Sequence, residues 1–348
     1  MKILELFGGI GACSKALERL GIDYEIADYV EIDKYAVKSF NAIHGTNFMP
    51  QDIREWDKNI KVDLIMHGSP CQDFSIAGKQ AGGDKNSGTR SSLMYETLRI
   101  VEKLQPKYVI WENVKNLLSE KHCHNLGVYL DKMTKLGYYN NYQVLNAKDY
   151  GIPQNRERVF TISIRDDLPN RVFKFPNKQP LTKRLKDVLE PIVDERYYLD
   201  KKLSDGPLKS ENSENIRVVG KLDMAGMDII KRVYDTQSIA PTLSTMTGGH
   251  RQPKIIEDFY KSRNPRVYGE VAPTLRSERS GLKVAEPTVL IRKLTPKECW
   301  RLMGFDDEDF EKAAKVNSNA QLYKQAGNSI VVNVLEAILG NLLENERG

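Results

Sequence analysis

Two periods alternate along the first 115 residues or so of the chain. KILELF is a short apolar run of strand length, and ACSKALERL returns its apolar side chains every three or four residues, as one face of a helix does. The pair recurs as YEIADYVE with DKYAVKSFNAI and as VDLIMHG with SLMYETLRIVEKL, and KYVIWENV adds a further strand. Strands that follow one another through helices run parallel, because parallel neighbours need a long crossover connection. The pattern predicts an α/β fold with a parallel sheet covered by helices on both faces. Ligands of such sheets bind beyond the carboxyl ends of the strands.

After about Pro176 the pattern changes to prolines, polar stretches such as KSENSEN and short β-branched runs, which predicts a second, smaller, β-rich domain. It contains an internal echo: RVYDTQSIAPTLSTMTGG from Arg232 and RVYGEVAPTLRSERSG from Arg266 share Val-Tyr, Ala-Pro-Thr-Leu and a polar loop reaching glycine. Two copies are too few for a solenoid and suggest related strand-loop units. SIVVNVLEAILGNLL spaces its apolar residues at three and four, as a largely buried helix that packs back onto the first domain. The expected division is 1–178, completed by a C-terminal helix at 322–348, and 179–321.

Composition narrows the class. With 40% hydrophobic and 28% charged residues the chain reads as an ordinary soluble protein, and no long apolar run suggests a membrane span. The opening MKILELFGG lacks the features of a secretory signal, so a cytoplasmic location is expected. Cysteines at 13, 71, 123 and 299 form neither a disulfide framework nor a Cys-x-x-Cys metal site. His122-Cys123-His124 reads as a polar loop rather than a metal site, since adjacent residues rarely converge on one ion. The net charge of +5 is uninformative until it is located: Lys231 to Lys283 holds 10 basic and 5 acidic residues, an excess of 5. A polyanion would be drawn there.

The candidate chemistry lies at strand ends. FGGIG, Phe7 to Gly11, lets the backbone turn tightly between the first strand and helix, although Ser14 stands where a dinucleotide fingerprint has its third glycine. Glu31 ends the second strand, where an acid can accept from ribose hydroxyls. Asp52 is expected at the end of a third strand, accepting from an adenine amine, with Ile53 packing on the ring. These features suit a nicotinamide dinucleotide and S-adenosylmethionine equally.

Cys71 lies in HGSPCQDFSIAGK, just past VDLIM and ahead of a Gly-, Ser- and Lys-rich run from Gly78 to Ser91 that suits a lid. A structural thiol belongs within an apolar run, so the context favours a nucleophile. Glu112-Asn113 follows the strand KYVI, and Arg156 and Arg158, spaced by two, share one side of an extended segment.

Together these pieces resemble the cytosine-5 DNA methyltransferases. FGGIG, VEIDKYA, QDI, GSPCQDFS, WENVKN, QNRERVF, RKLTPKECWRLMGF and YKQAGNSIVVNVLE occur in the order of that family and cover nearly the whole chain. The resemblance implies a Rossmann-like S-adenosylmethionine-dependent methyltransferase domain with a smaller β-rich target-recognition domain. It implies a catalytic set of Cys71, Glu112, Arg156 and Arg158, and cofactor contacts from Phe7, Gly9, Gly11, Glu31, Ile32, Asp52, Ile53, Pro70, Leu93, Asn328 and Ser329. Contacts to double-stranded DNA are expected from Gln72, Ser75, Lys79 and Arg90, and from Thr242, Arg251, Thr274 and Arg276 in the recognition region, with Thr245, Thr247, His250 and Arg279 beside them. Thr242-Leu243 and Thr274-Leu275 both match the family's Thr-Leu pair. Ala12 stands where the commonest family pattern has another glycine.

The chemistry explains these residue types. A thiolate adding at carbon 6 of cytosine makes carbon 5 nucleophilic, a carboxyl at the ring edge holds a proton on N3, and a fixed cation stabilises developing charge. The base must leave the duplex first. No metal is required. A restriction-modification or phage protective enzyme, monomeric, with or without a cognate endonuclease, is the expected setting. The rivals are an RNA methyltransferase on the same catalytic domain, a nicotinamide-dependent oxidoreductase and an inactive DNA-binding protein.

Overall fold

A computed structural model describes residues 1–69, 93–169, 171–199, 214–248, 250–258 and 289–344. The N-terminal part runs β1 (Lys2–Leu6), α1 (Ala12–Arg19), β2 (Glu25–Val30), α2 (Lys34–His44), β3 (Leu64–His67), α3 (Met94–Leu104), β4 (Tyr108–Val114), α4 (Cys123–Lys135), β5 (Tyr138–Asn146) and β6 (Glu157–Arg165). These strands form one six-stranded sheet in the order β2-β1-β3-β4-β6-β5.

The expected parallel arrangement holds for β2, β1, β3 and β4. It fails at β6, which runs antiparallel to both β4 and β5. The segment between β5 and β6 carries only a short 3-10 turn, Ala147–Tyr150, so the chain reverses instead of crossing over. The polar loop expected at His122-Cys123-His124 is also corrected. His122 is buried at the start of α4, whose apolar face (Leu126, Tyr129, Met133) packs on the sheet.

Both faces of the sheet are covered, and the alternation of side chains shows it. Ile3, Leu64, Met66 and Ile110 belong to one buried cluster, whereas Leu4, Ile65, Val109 and Trp111 belong to a second, with residues of α3 and α4. Burial on both sides is why these strands read as apolar runs instead of alternating.

A second sheet takes five short strands, β7 (Tyr198–Leu199), β8 (Val218–Lys221), β9 (Arg232–Tyr234), β10 (Lys254–Asp258) and β11 (Val289–Lys293), in the order β7-β11-β10-β9-β8; the short helix α5 (Asp228–Lys231) leads into β9. Four helices follow: α6 (Pro296–Arg301), α7 (Asp307–Ala314), α8 (Asn319–Asn328) and α9 (Val332–Leu343). Trp300, Leu322 and Leu335 share the buried cluster of Ile3, and so do Leu185, Leu243 and Ile255 from the region after residue 178. Residues Asn319–Leu343 are long and apolar enough to cross a membrane by length and composition. They are two helices, however, and Leu322, Leu335, Ile338 and Leu339 are fully buried in the core, with α9 packed on α1.

Candidate active site

The site gathers at the carboxyl ends of β1, β2, β3 and β4. Leaving β1, Phe7 takes a left-handed backbone (φ 53°), and Gly11, which caps α1, has φ 82°. A side chain at Gly11 would also collide with the His44 ring and Phe40. The turn therefore needs glycine there both for its backbone and for the fit of α2.

The Gly9 N–H donates to Glu31 Oε2 (3.2 Å), and the Gly9 carbonyl accepts from the Tyr29 hydroxyl (2.6 Å). Glu31 Oε1 accepts the Asp33 N–H at 2.8 Å. Burial pushes the Glu31 carboxyl above its ordinary range, against the pull of those two N–H groups. Next to it Ile32 is 65% exposed, an apolar face set beside an acid.

Two expectations for the adenine end need correction. Asp52 ends no strand; it lies in the loop after α2, beside the end of β2 through the bond of the Gln51 N–H to the Glu31 carbonyl. Its carboxylate is gripped by Arg54 (Nε to Oδ1, 3.0 Å), whose hydrogen bonds hold its pKa down. Ile53 is buried in the cluster with Trp56 and Val30, whereas Ile32 stands open beside the acid. Leu93 sits at the start of α3, partly buried against the same cluster.

A pocket opens between the two ends of the chain, lined by Phe7, Gly9, Met66, Gly68, Glu112, Asn328 and Ser329 among others. Asn328 ends α8 and Ser329 caps it. Lys324 on α8 pairs with Asp33 (2.6 Å), which locks this helix against the turn that follows Glu31. The open glycine turn, the half-buried acid, the exposed Ile32 and the polar Asn328 suit a nucleoside with a charged tail, so the residues present fit the cofactor expected.

β4 runs through Val114, so Glu112 lies within the strand instead of after it. Its carboxylate pairs with Arg158 (Nε to Oε1, 2.9 Å), and its other oxygen stands 3.7 Å from where a Cβ on Gly68 would be. The two arginines separate here. Arg158 belongs to the acid, whereas Arg156 is 3% exposed and donates to the carbonyls of Leu243 (3.0 Å), Gly327 (3.0 Å) and Ser329 (2.8 Å). Spacing by two did not reveal their separate partners.

In the recognition region the Thr242 hydroxyl donates to the Asn155 carbonyl (2.5 Å). Gln154, fully buried, accepts the Leu243 N–H (3.2 Å) and donates to the Leu302 carbonyl (2.7 Å). Thr247, His250 and Arg251 stand exposed beyond this anchor, and Lys254 donates to the carbonyls of His250 and Gln252. Pro70, Cys71, Gln72, Ser75, Lys79, Lys85, Arg90, Thr274, Arg276 and Arg279 lie outside the described residues. Sequence reasoning missed Gln154, Lys324 and Glu5. Gln154 and Lys324 stood inside QNRERVF and YKQAGNSIVVNVLE without a role of their own, and Glu5 left a trace as a charge inside the apolar run KILELF. Among the described residues no cluster of side chains could hold a metal ion.

A sheet covered on both faces, with a glycine turn after its first strand and an acid after its second, defines the Rossmann-like α/β class of nucleotide-cofactor-binding domains. The solved structure of the Schizosaccharomyces pombe Dnmt2 methyltransferase has this fold: its TM-score is 0.65 at 18% identity, over 100% of this chain and 99% of that one. The family model for C-5 cytosine-specific DNA methylases matches residues 1–344. The orphan methyltransferase M.SPBetaI of Bacillus phage SPbeta is 37% identical over 99% of this chain and 97% of its own. The type II methyltransferase M.HhaI of Haemophilus parahaemolyticus is 34% identical over 98% of this chain and 94% of its own. The chain belongs to the C-5 cytosine-specific DNA methylase family, and its class of activity is methyl transfer to DNA cytosine.

Proposed function

We propose that this protein methylates carbon 5 of a cytosine within a specific duplex sequence, through a transient bond from Cys71 to the flipped-out base. The observation that carries the reading is the Glu112–Arg158 pair at the pocket, on the strand beside the one that leads to Cys71.

S-adenosylmethionine, when bound, supplies the electrophilic methyl group. Glu31, Ile32, Asn328 and the turn from Phe7 to Gly11 would hold it. The Cys71 thiolate adds to carbon 6 while Glu112 keeps a proton on N3, so the electron pair arrives at carbon 5. Arg158 fixes Glu112 and presents positive charge near the ring. Removal of the carbon 5 proton and expulsion of Cys71 restore the aromatic base. Arg156 acts at a distance, by bolting the recognition region to the end of α8.

The base must leave the stack at a cost of a few kcal/mol, which phosphate contacts offset. Lys79, Lys85 and Arg90 are the cations proposed to make them. The region from 179 onward reads the sequence through Thr245, Thr247, His250 and Arg251. The setting is the cytoplasm of a bacterial or phage-infected cell, where a monomer marks DNA against a cognate endonuclease or in phage defence.

A duplex carrying 5-fluorocytosine blocks the final elimination. Incubated with S-adenosylmethionine, the wild-type protein should form a stable adduct mapping to Cys71, and Cys71→Ser should form none. Adduct formation on transfer RNA but on no DNA would redirect the reading to RNA.

A further inference from the structure

The glycine turn after β1 is held in a conformation that its first residue disfavours. Phe7 has φ 53°, a backbone that L side chains rarely adopt, and Gly9 follows at φ 56°. Gly9 is gripped at both of its peptide groups. Its carbonyl accepts the Tyr29 hydroxyl at 2.6 Å, and its N–H donates to Glu31 Oε2 at 3.2 Å. Tyr29 and Glu31 are two residues apart, so the extended chain at the end of β2 points them to one side. The Tyr29 ring is fully buried, stacked on Phe40 of α2 (centroids 3.8 Å apart, planes 25° apart) and close to Phe48. It also takes the space that a side chain at position 8 would need, since a Cβ on Gly8 would lie 2.6 Å from Tyr29 Cε2. The hydroxyl is therefore fixed against the turn. Burial and the nearby Glu31 carboxyl push its pKa up, so it stays protonated and remains a donor.

We infer that Tyr29 is a positioning residue for cofactor binding, holding the Gly9 peptide in its ligand-ready place; the inference rests on the reading of this turn as the S-adenosylmethionine site. The two grips on Gly9 are not equivalent. By that reading Glu31 accepts from the ligand as well as from Gly9, whereas Tyr29, sealed from solvent, serves the turn alone. Gly9 lines the pocket, and a Cβ on it would meet nothing within 4 Å, so the gripped residue is open to a ligand at its Cα. Without the hydroxyl the Gly9 carbonyl loses that donor. The turn then keeps only its N–H contacts: Gly9 to Glu31, Gly8 to the Val30 carbonyl (3.4 Å) and Gly11 to the Gly8 carbonyl (3.0 Å). Apparent affinity falls with the fraction of time a site is competent, so a turn in place about a tenth of the time binds ~10-fold more weakly.

The test is calorimetric binding of S-adenosylhomocysteine to the wild-type protein, Tyr29→Phe and Gly8→Ala, with hydrogen exchange of the Gly9 amide followed alongside. Tyr29→Phe keeps the ring and its stack on Phe40 and deletes only the donor. Gly8→Ala keeps the donor and pushes the ring that carries it. Each should raise the Kd for S-adenosylhomocysteine by ~10-fold and speed exchange at Gly9 by a similar factor. For Tyr29→Phe, the KM for S-adenosylmethionine on unmethylated genomic DNA should rise in parallel, while kcat and the affinity for that DNA stay within about twofold of wild type. A Kd within about twofold of wild type overturns the inference, and so does an equal loss of affinity for DNA, which a merely structural role would produce. Tyr29→Phe decides if the variants disagree, because a Cβ at position 8 also comes within 3.0 Å of Glu5 Cβ. If Tyr29→Phe does not fold, Gly8→Ala decides. If the wild-type protein itself fails to bind S-adenosylhomocysteine, the underlying reading of the turn fails instead.

Discussion

Glu5 is the residue whose environment is most at odds with its chemistry. It is 2% exposed at the end of β1, lines the pocket, and accepts both the N–H (3.0 Å) and the hydroxyl of Ser14 in the first turn of α1. Burial pushes its pKa up to about 7, although the two bonds from Ser14 pull the other way. Between the ordinary carboxylate range and pH 7 the folded protein therefore keeps a proton that the unfolded chain has lost. Stability contributed by this proton is complete at low pH, falls as the pH rises through that window, and is gone above about 7, at ~1.4 kcal/mol per unit of pKa difference. Glu5→Gln should flatten this slope, measured as the change in urea midpoint between pH 5 and pH 7.5. His44 and His67, pushed down by burial to about 4 and about 3, act in the opposite direction, but equally in both proteins. A slope unchanged by the substitution would show that Glu5 titrates normally.

At the scale of elements, the critical contact is where α8 meets the recognition loop. A Cβ on Gly327 would lie 2.0 Å from the Ser244 carbonyl oxygen and 2.7 Å from Thr245 Cα, and its neighbours there are backbone, which cannot rotate away. Helix propensity alone favours alanine over glycine by ~1 kcal/mol. Overpacking against fixed backbone costs about 1–3 kcal/mol and should win. Gly327→Ala is therefore expected to lower the thermal midpoint and, by displacing the segment that Arg156 holds, to raise the KM for DNA more than the KM for S-adenosylmethionine. A variant more stable than wild type would mean that propensity prevails and the loop yields.

Across the whole molecule, the pocket closes on itself from opposite ends of the chain. Phe7 and Gly9 face Asn328 and Ser329 across it, and the ends are tied by Lys324 to Asp33, by Lys15 to Asp309 (3.1 Å), and by the Asn317 amide to the Tyr35 carbonyl (2.8 Å). A ligand bridging both ends binds only the folded chain, so at a hundred times its Kd it should add about 2.7 kcal/mol to stability. S-adenosylhomocysteine should raise the denaturant midpoint accordingly, and NADH at the same concentration should not. Equal protection by NADH would show that the pocket does not select S-adenosylhomocysteine through the contacts assigned to it.

Local periodicity was enough to read β1 through β4 and their helices, because a strand or helix buried on one or both faces must space its apolar residues accordingly. The order of eight motifs was enough for the family. What the sequence could not contain was partnership between distant segments. The antiparallel insertion of β6, the division of labour between Arg156 and Arg158, the inward turn of Ile53 and the bolt from Gln154 to Leu243 each depend on which segments meet. Residue types and spacing determined which chemical groups this protein carries. Only tertiary structure decided which of them is spent on holding the chain together and which is left for the substrate, since a donor, acceptor or charge takes its role from the neighbour that packing brings to it.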